Sequence, residues 1–320
     1  MFRRHLIAAA LGLAAIVLAS CGQGGGKPDL PVLKVGSQKG GTKALILASG
    51  VLEGAPYRVE WSEFPAAQHL LEAVGAGAVD LGAVGDAPFL FAFASGGKVK
   101  AVHASRATSG GGSTALLVRK DSPIHDLAGL RGRKVATGRG SIGHYLLLRL
   151  LEKAGLSPSD VQIVYLSPGD AKAAFASGAI DAWVTWGSYI YLAQLTDGAQ
   201  VLADGRGVLS GYGFEVANTQ SIGAKRAQIE DFLGRLSRAQ RWVADHKPEY
   251  AAALAKETGL DPKIAALTVA NARSEPVLID ATVIAEEKTV LERFQAAGAI
   301  AAHPDIAQGF DTSFSAAVAR

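Results

Sequence analysis

The sequence predicts an α/β fold of two similar lobes, each a mainly parallel sheet flanked by helices, and three observations carry that prediction. The stretch KVGSQKG, Lys34 to Gly40, returns one hundred residues later as KVATGRG, Lys134 to Gly140. GAVDLGAVGDA, Gly77 to Ala87, returns as GAIDAWVTWGS, Gly178 to Ser188, at almost the same offset. Two independent matches at nearly one spacing indicate a duplicated unit. Within each unit, short β-branched runs alternate with helical ones, the pattern of parallel sheets whose ligands sit at the carboxyl edge of the strands.

Taken in chain order, Arg3, Arg4 and His5 come first, then a charge-free run from Leu6 to Ala19, then LASC ending at Cys21. This reads as a lipoprotein signal peptide over residues 1–20, its apolar run too short to cross a bilayer core. Cys21 is the one cysteine of the chain and the expected point of lipid attachment, so an internal disulfide, a Cys-x-x-Cys metal site and a free catalytic thiol are all excluded. Residues 21–31, rich in glycine, form a flexible tether. The expected location is the cell envelope, at its periplasmic or extracytoplasmic face, with the membrane reached only through lipid on Cys21. The formal net charge is +3. Residues 1–20 carry Arg3 and Arg4 and no acid, which leaves +1 after their removal. That balance offers no footprint for nucleic acid.

The mature length exceeds what one compact core usually takes, so two lobes are expected. Strands are predicted near 32–37, 57–64 and 80–85 in the first unit, and near 133–137, 161–166 and 182–186 in the second. STALLVR (113–119) and YGFEVAN (212–218) are strand-like and flank the second unit, as two crossovers between lobes would. The expected division is residues 32–117 plus 219–320 for lobe 1 and 118–218 for lobe 2. Helical periodicity covers 223–245, 248–258, 261–271 and 281–297, a tail that closes the first lobe in an architectural role.

Gly138-Arg-Gly-Ser-Ile-Gly143 satisfies GxGxxG between a strand and a helix, the form of a dinucleotide site. That reading fails, because the next strand ends in Leu166, Ser167 and Pro168, with no acid for a ribose, and Asp160 precedes it at the wrong edge. No cofactor is expected. The physical capacity of the turn remains: N–H groups at a helix start, on the positive end of the macrodipole, favour an anion, and glycines allow close approach. Ser141 caps its own helix and adds a hydroxyl donor, while the twin turn from Ser37 to Thr42 faces it across a cleft. Gly85 to Pro88 and Trp186 to Tyr189 lie at the same sheet edge. Asp86 is expected to cap the following helix, with ligand contact as the alternative, and Trp186 to form an apolar wall. Ser167 to Asp170 reads as a helix cap. Lys39, Arg106 and Arg139 are candidates to enrich the cleft in positive charge.

His69, His103, His125, His144, His246 and His303 show no HxH or HExxH spacing, so no transition-metal site is expected. His144 follows Ser141 by one helical turn, yet G-x-S-x-G is absent and no acid is placed to orient the ring. It is read as a helix-surface residue.

Most of the mature chain resembles the substrate-binding proteins of ABC importers for aliphatic sulfonates, a group that also takes taurine, nitrate and thiamine-precursor pyrimidines. The resemblance lies in VGSQKGG, EFPAAQHLLEAVGAGAVDLGAVGDAPFLFAFASG, DLAGLRGRKVATGRGSIGHYLLLRLLEKAGL and YLSPGDAKAAFASGAIDAWVTWGSYIYLAQL. It implies a two-lobed venus-flytrap fold of the type II periplasmic-binding kind, with a small organic anion held between the lobes and no catalysis. The positions that match the family's cleft loops are Ser37, Gln38, Gly85, Asp86, Ala87, Gly140, Ser141, Ile142, Gly143 and Trp186, with Gly187 beside them. The family's Trp-Asp-Pro-Tyr turn is here Trp186-Gly187-Ser188-Tyr189, and the glycine-rich loop from Arg106 to Ser113 replaces prolines and an acid. Loss of both acids counts against an amine-bearing ligand. The implied partners are an ABC permease with its ATPase, and the implied state is a monomer. Alternatives are another small ligand (taurine, nitrate, a sulfone or a pyrimidine) or a sensing lipoprotein. An enzyme is disfavoured, since the catalytic relatives of this fold depend on cysteine and Cys21 is the only one.

Overall fold

In the computed structural model, residues 30–38, 41–271 and 273–318 are described; the signal peptide, Cys21, Lys39 and Gly40 lie outside them. The first run of elements is β1 (Val32–Gln38), α1 (Thr42–Ser49), β2 (Arg58–Phe64), α2 (Ala67–Gly75), β3 (Leu81–Gly85), α3 (Asp86–Ala94) and β4 (Val99–Ala107). The second is β5 (Thr114–Val118), β6 (Lys134–Thr137), α4 (Ile142–Lys153), β7 (Gln162–Tyr165), α5 (Pro168–Ala176), β8 (Ala182–Trp186), α6 (Ser188–Thr196) and β9 (Gln200–Asp204). The chain then continues through β10 (Tyr212–Asn218), α7 (Thr219–Ala224), α8 (Arg226–Trp242), α9 (Lys247–Thr258), α10 (Pro262–Asn271), β11 (Ser274–Val277) and α11 (Ala281–Ala296).

Two sheets result, ordered β2-β1-β3-β10-β4-β11 and β7-β6-β8-β5-β9. Their first five positions correspond one to one, which is the sequence duplication in three dimensions. In each, the three strands of the repeated unit run parallel, and a crossover strand lies antiparallel beside the third. β4, β9 and β11 also pair antiparallel, so the sheets are mixed, with parallel centres.

The paired Asp of the repeat has a structural reason, in bonds to the backbone of the paired Lys. Lys34 N–H donates to Asp80 Oδ2 at 2.7 Å, and Lys134 N–H to Asp181 Oδ2 at 2.8 Å. The Asp80 and Asp181 N–H groups return the bond to the Lys34 and Lys134 carbonyls. Each Asp therefore locks the start of the third strand to the first. Asp80 also accepts from Ser221 Oγ at 2.7 Å and Lys225 Nζ at 2.6 Å, which docks the C-terminal helices on the first sheet.

Sheet membership shifts both expected crossings. The division at 117/118 and 218/219 gave β5 to the first lobe and β10 to the second, whereas β5 pairs with β8 and β9, and β10 with β3 and β4. Each crossover strand joins the sheet it enters, because buried backbone N–H and C=O groups must find partners. The chain thus passes between sheets at 108–113 and 205–211, where Gly205 N–H donates to the Thr114 carbonyl at 3.0 Å. A Cβ on Gly205 would stand 2.6 Å from the Gly111 carbonyl oxygen, so the two crossings touch backbone to backbone.

One apolar core lies beneath α1 and α8, with Leu33, Ile46, Phe232 and Leu233 at its centre. A second runs from Leu70 and Phe89 through Phe294 of α11 to Leu146 and Leu147 of α4, so it is continuous between the layers of the two sheets. A third surrounds Phe175 and Trp183 under α5 and α6. Fully burying side chains of this size stabilises by about 1.5–3 kcal/mol each. α10 packs against α6. None of the helices among the described residues is long and apolar enough to cross a membrane.

Candidate functional site

A cavity of ≈ 340 Å³ opens at the carboxyl ends of the parallel strands of both sheets. Of the positions singled out from sequence, Gln38, Gly85, Ser141, Ile142, Trp186 and Gly187 line it. Ser113 and Tyr189, from loops placed at the cleft from sequence, also contribute, as do Pro65, Tyr212 and Thr268, which sequence reasoning had not singled out for the site. Thr268 belongs to α10, so the tail is part of the cavity wall and not only a closure for the first lobe. Its helical period was legible; which side of it met the cleft was not.

The helix starts around this cavity differ from one another: α4 is capped by Ser141, whereas α1 and α6 follow glycines. α1 begins after Gly41 and α6 after Gly187, and neither glycine has a side chain to cap its helix, although Ser37 Oγ takes one N–H of the first turn of α1, that of Lys43. Both glycines line the cavity. Of the helices that start elsewhere, α5, α7 and α11 are capped by Ser167, Asn218 and Asp280, whereas α8 and α9 have no side-chain cap, so it is the position of the α1 and α6 starts on the cavity that matters. An uncapped start leaves orphan N–H groups and an uncompensated partial positive charge, the elements of an anion site.

Ser37 and Ser141 are occupied within their own turns. Ser37 Oγ donates to the Gln38 carbonyl at 3.1 Å and accepts from Lys43 N–H at 3.2 Å. Ser141 Oγ donates to the Gly138 carbonyl at 2.6 Å and accepts from His144 N–H at 3.1 Å, so its proton is already committed inside the turn. Gln38 Nε2 donates to the Ala83 carbonyl at 3.0 Å, which anchors one loop to β3.

Asp86 departs from its expected role as a cap. It is itself the first residue of α3, fully buried, and accepts from Ala87 N–H at 2.6 Å and Ser210 Oγ at 2.5 Å. Burial pushes its carboxyl up to about 6, against the Ser210 and backbone hydrogen bonds that pull it down. The carboxyl already occupies the first turn of α3, so that helix start differs from those of α1 and α6. Ala87 is likewise buried behind the wall.

Gly140 and Gly143 do not line the cavity; they let it form. Gly140 has φ 67°, and a Cβ there would meet the Phe91 ring at 2.6 Å. A Cβ on Gly143 would lie 2.6 Å from Thr137 Oγ1 and 2.9 Å from the Val184 carbonyl oxygen. The start of α4 is thereby seated against β8.

His144 is buried, not on the helix surface. Its Nδ1 accepts from Gly140 N–H at 3.2 Å and its Nε2 meets Tyr165 OH at 3.1 Å, so the ring holds the glycine turn. Burial, assisted by the positive Arg139, lowers it to about 4, and it stays neutral. Arg139 stacks over Tyr165 and Arg106 over Tyr212. Among the described residues no Lys or Arg lines this cavity, and the helix starts supply their pull on an anion. Nor do three potential metal-ligating side chains come together among them.

The family model described as NMT1/THI5 like matches residues 59–251. A provisionally named aliphatic sulfonates-binding protein of Escherichia coli (strain K12) is 35% identical over 259 residues, 80% of this chain and 81% of that one. The crystal structure of the periplasmic aliphatic sulphonate binding protein SsuA from Escherichia coli superposes with TM-score 0.77 at 33% identity, covering 87% of this chain and 91% of that one. The alkanesulfonate-binding protein SsuA from Xanthomonas axonopodis pv. citri, bound to MOPS, gives TM-score 0.80 at 32% identity, covering 88% and 99%. These relatives are binding proteins and not enzymes.

Proposed function

This chain belongs to the NMT1/THI5-like family, and from that premise we propose that it is an extracytoplasmic solute-binding protein that captures an aliphatic sulfonate and delivers it to an ABC importer. It is held to the membrane by lipid on Cys21 and acts as a monomer. The observation that carries the reading is the cavity with helix starts at Gly41 and Gly187 and an indole wall at Trp186. A sulfonate spreads one negative charge over three acceptor oxygens, which suits N–H groups converging from two helices, and its alkyl chain suits the aromatic wall.

One lobe is the sheet of β1–β4, β10 and β11 with the C-terminal helices; the other is the sheet of β5–β9 with its own. The apolar seam of α3, α4 and α11 keeps the lobes together, aided by Arg293 Nη1 donating to Tyr145 OH at 3.2 Å. Opening therefore pivots about that seam and about the crossings at Gly111 and Gly205, and it parts α10 from α6. The closed shape is what the permease distinguishes from the open one.

Titration with alkanesulfonates, following tryptophan fluorescence, tests the reading. A saturable change that W186F abolishes is expected. No response to any alkanesulfonate, alongside a response to a different anion, would move the specificity elsewhere.

A further inference from the structure

Beside the anion cavity lies a second one of ≈ 250 Å³ inside the first lobe, and the two share a wall of Gly41, Val84, Ser105, Gly213 and Ser274. Glu215 of β10 lines it. The residue is buried, and its Oε2 has no hydrogen-bond partner among the described residues. Gly213 and Glu215 stand on one face of the strand, since alternate residues share a face, so Glu215 lies about 7 Å further along from the shared wall. On that face Glu215 is flanked by Ala83 of β3 and His103 of β4, and Gly213 precedes it.

The groups that surround Glu215 do not neutralise it. His103 of β4 stands directly opposite, but its Nε2 is engaged with Ser237 Oγ at 3.0 Å, and burial with the positive Arg241 holds it neutral, near 4. Tyr250 of α9 keeps its proton, pushed up to about 12 by burial. Arg273 also lines the cavity, and its Nη2 is paired with Glu275 at 2.7 Å. From α8 comes Gln240, whose Oε1 is likewise buried without a partner. The cavity thus presents two buried polar atoms without partners among the described residues, Oε2 of the Glu215 carboxyl and Oε1 of Gln240, an arrangement retained at a cost unless a partner arrives.

We propose that this second cavity is a subsite for a protonated amine carried by the far end of the bound anion, with the Glu215 carboxylate and Gln240 Oε1 as its acceptors. The proposal rests on the sulfonate reading and narrows it to zwitterions of the ω-aminoalkanesulfonate class. It reverses the expectation drawn from the missing loop acids, because the acid is supplied by a strand of the sheet and not by a loop. Burial raises the Glu215 carboxyl to about 8 in the free protein. An arriving ammonium favours the carboxylate, so the Glu215 proton passes to solvent as the amine binds.

The test is calorimetric titration of the full protein with short alkanesulfonates and with ω-aminoalkanesulfonates of equal chain length, at pH 7, in two buffers of different ionisation enthalpy. The expected result is at least tenfold tighter binding of the amine at the best chain length, with proton release confined to the amine series, and a preference ratio near one in E215Q. Equal affinity of the wild type for both series, or a preference that survives in E215Q, would overturn the subsite while leaving the sulfonate reading intact. Binding of neither series would remove both. The wild-type ratio and proton count suffice on their own if E215Q does not fold.

Discussion

Glu215 and the buried histidines make opposite demands on pH. In the folded chain Glu215 keeps its proton to about pH 8, while an unfolded glutamate loses it near 4.5. Its contribution to stability is therefore lost as pH rises from 4.5 to 8, by up to about 1.4 kcal/mol per pH unit. Glu287, raised by burial and by the Asp86 and Glu286 charges, acts in the same sense, and Asp86 does so up to about pH 6. His103 and His144, lowered to about 4, remain neutral where an unfolded imidazole takes a proton, so stability falls as pH drops from 6.5 toward 4. Thermal melts of the ligand-free protein should show a midpoint that declines from pH 6.5 to 8, and E215Q should flatten that decline, gaining most at pH 8. An E215Q curve parallel to the wild type would mean that the carboxyl is not held protonated. At this scale the sequence signalled Glu215 only faintly, as one acid inside the apolar run YGFEVAN. His144 read as exposed because nothing in its spacing showed that Gly140 and Tyr165 would close over it.

Helix starts decide what the cavity can hold. Replacing Gly41 with Asp puts a carboxylate where it both caps α1 and repels an anion. Gly41 has φ −100°, which other residues adopt, although its Cβ would sit 3.1 Å from the Gln38 carbonyl oxygen. G41D is therefore expected to weaken sulfonate binding about tenfold or more, with a melting temperature near that of the wild type; unchanged affinity in calorimetry would remove α1 from the anion site. The crossings are tested at Gly205, whose Cβ would also press on Leu209 Cδ1 at 2.5 Å. G205A should cost about 1–3 kcal/mol in denaturant unfolding, as overpacking does. An unchanged midpoint would mean that the crossings are loosely packed. The strands of the repeat were legible because each is apolar or, as in β2, alternates polar with apolar residues, and is bounded by turn residues. β9 and β11 were not, being short edge strands, one half-exposed and the other holding Pro276, so their pairing depends on a neighbouring strand already in place.

For the whole molecule, binding should be visible as closure and as retention at the membrane. A sulfonate at one hundred times its Kd stabilises the bound form by about 2.7 kcal/mol, and small-angle scattering should report a smaller radius of gyration in its presence. Scattering curves that superpose with and without saturating ligand would rule out the hinge. Full-length protein should partition with membranes and C21S with the soluble extracellular or periplasmic fraction. C21S that stays with the membrane would remove the lipid anchor.

The sequence by itself determined the duplication, the order of strands and helices, and the edge of the sheets where a ligand would sit. Local period and turn residues are written in neighbouring positions, and the duplication in one spacing of about a hundred. Tertiary structure alone decided which sheet each crossover strand joins, that Gly140 and Gly143 serve packing and not contact, and that α10 walls the cavity. It also set Glu215 on a second cavity, with its Oε2 unpartnered among the described residues. Those outcomes depend on backbone pairing and on burial among residues far apart in the chain, and no local pattern encodes either.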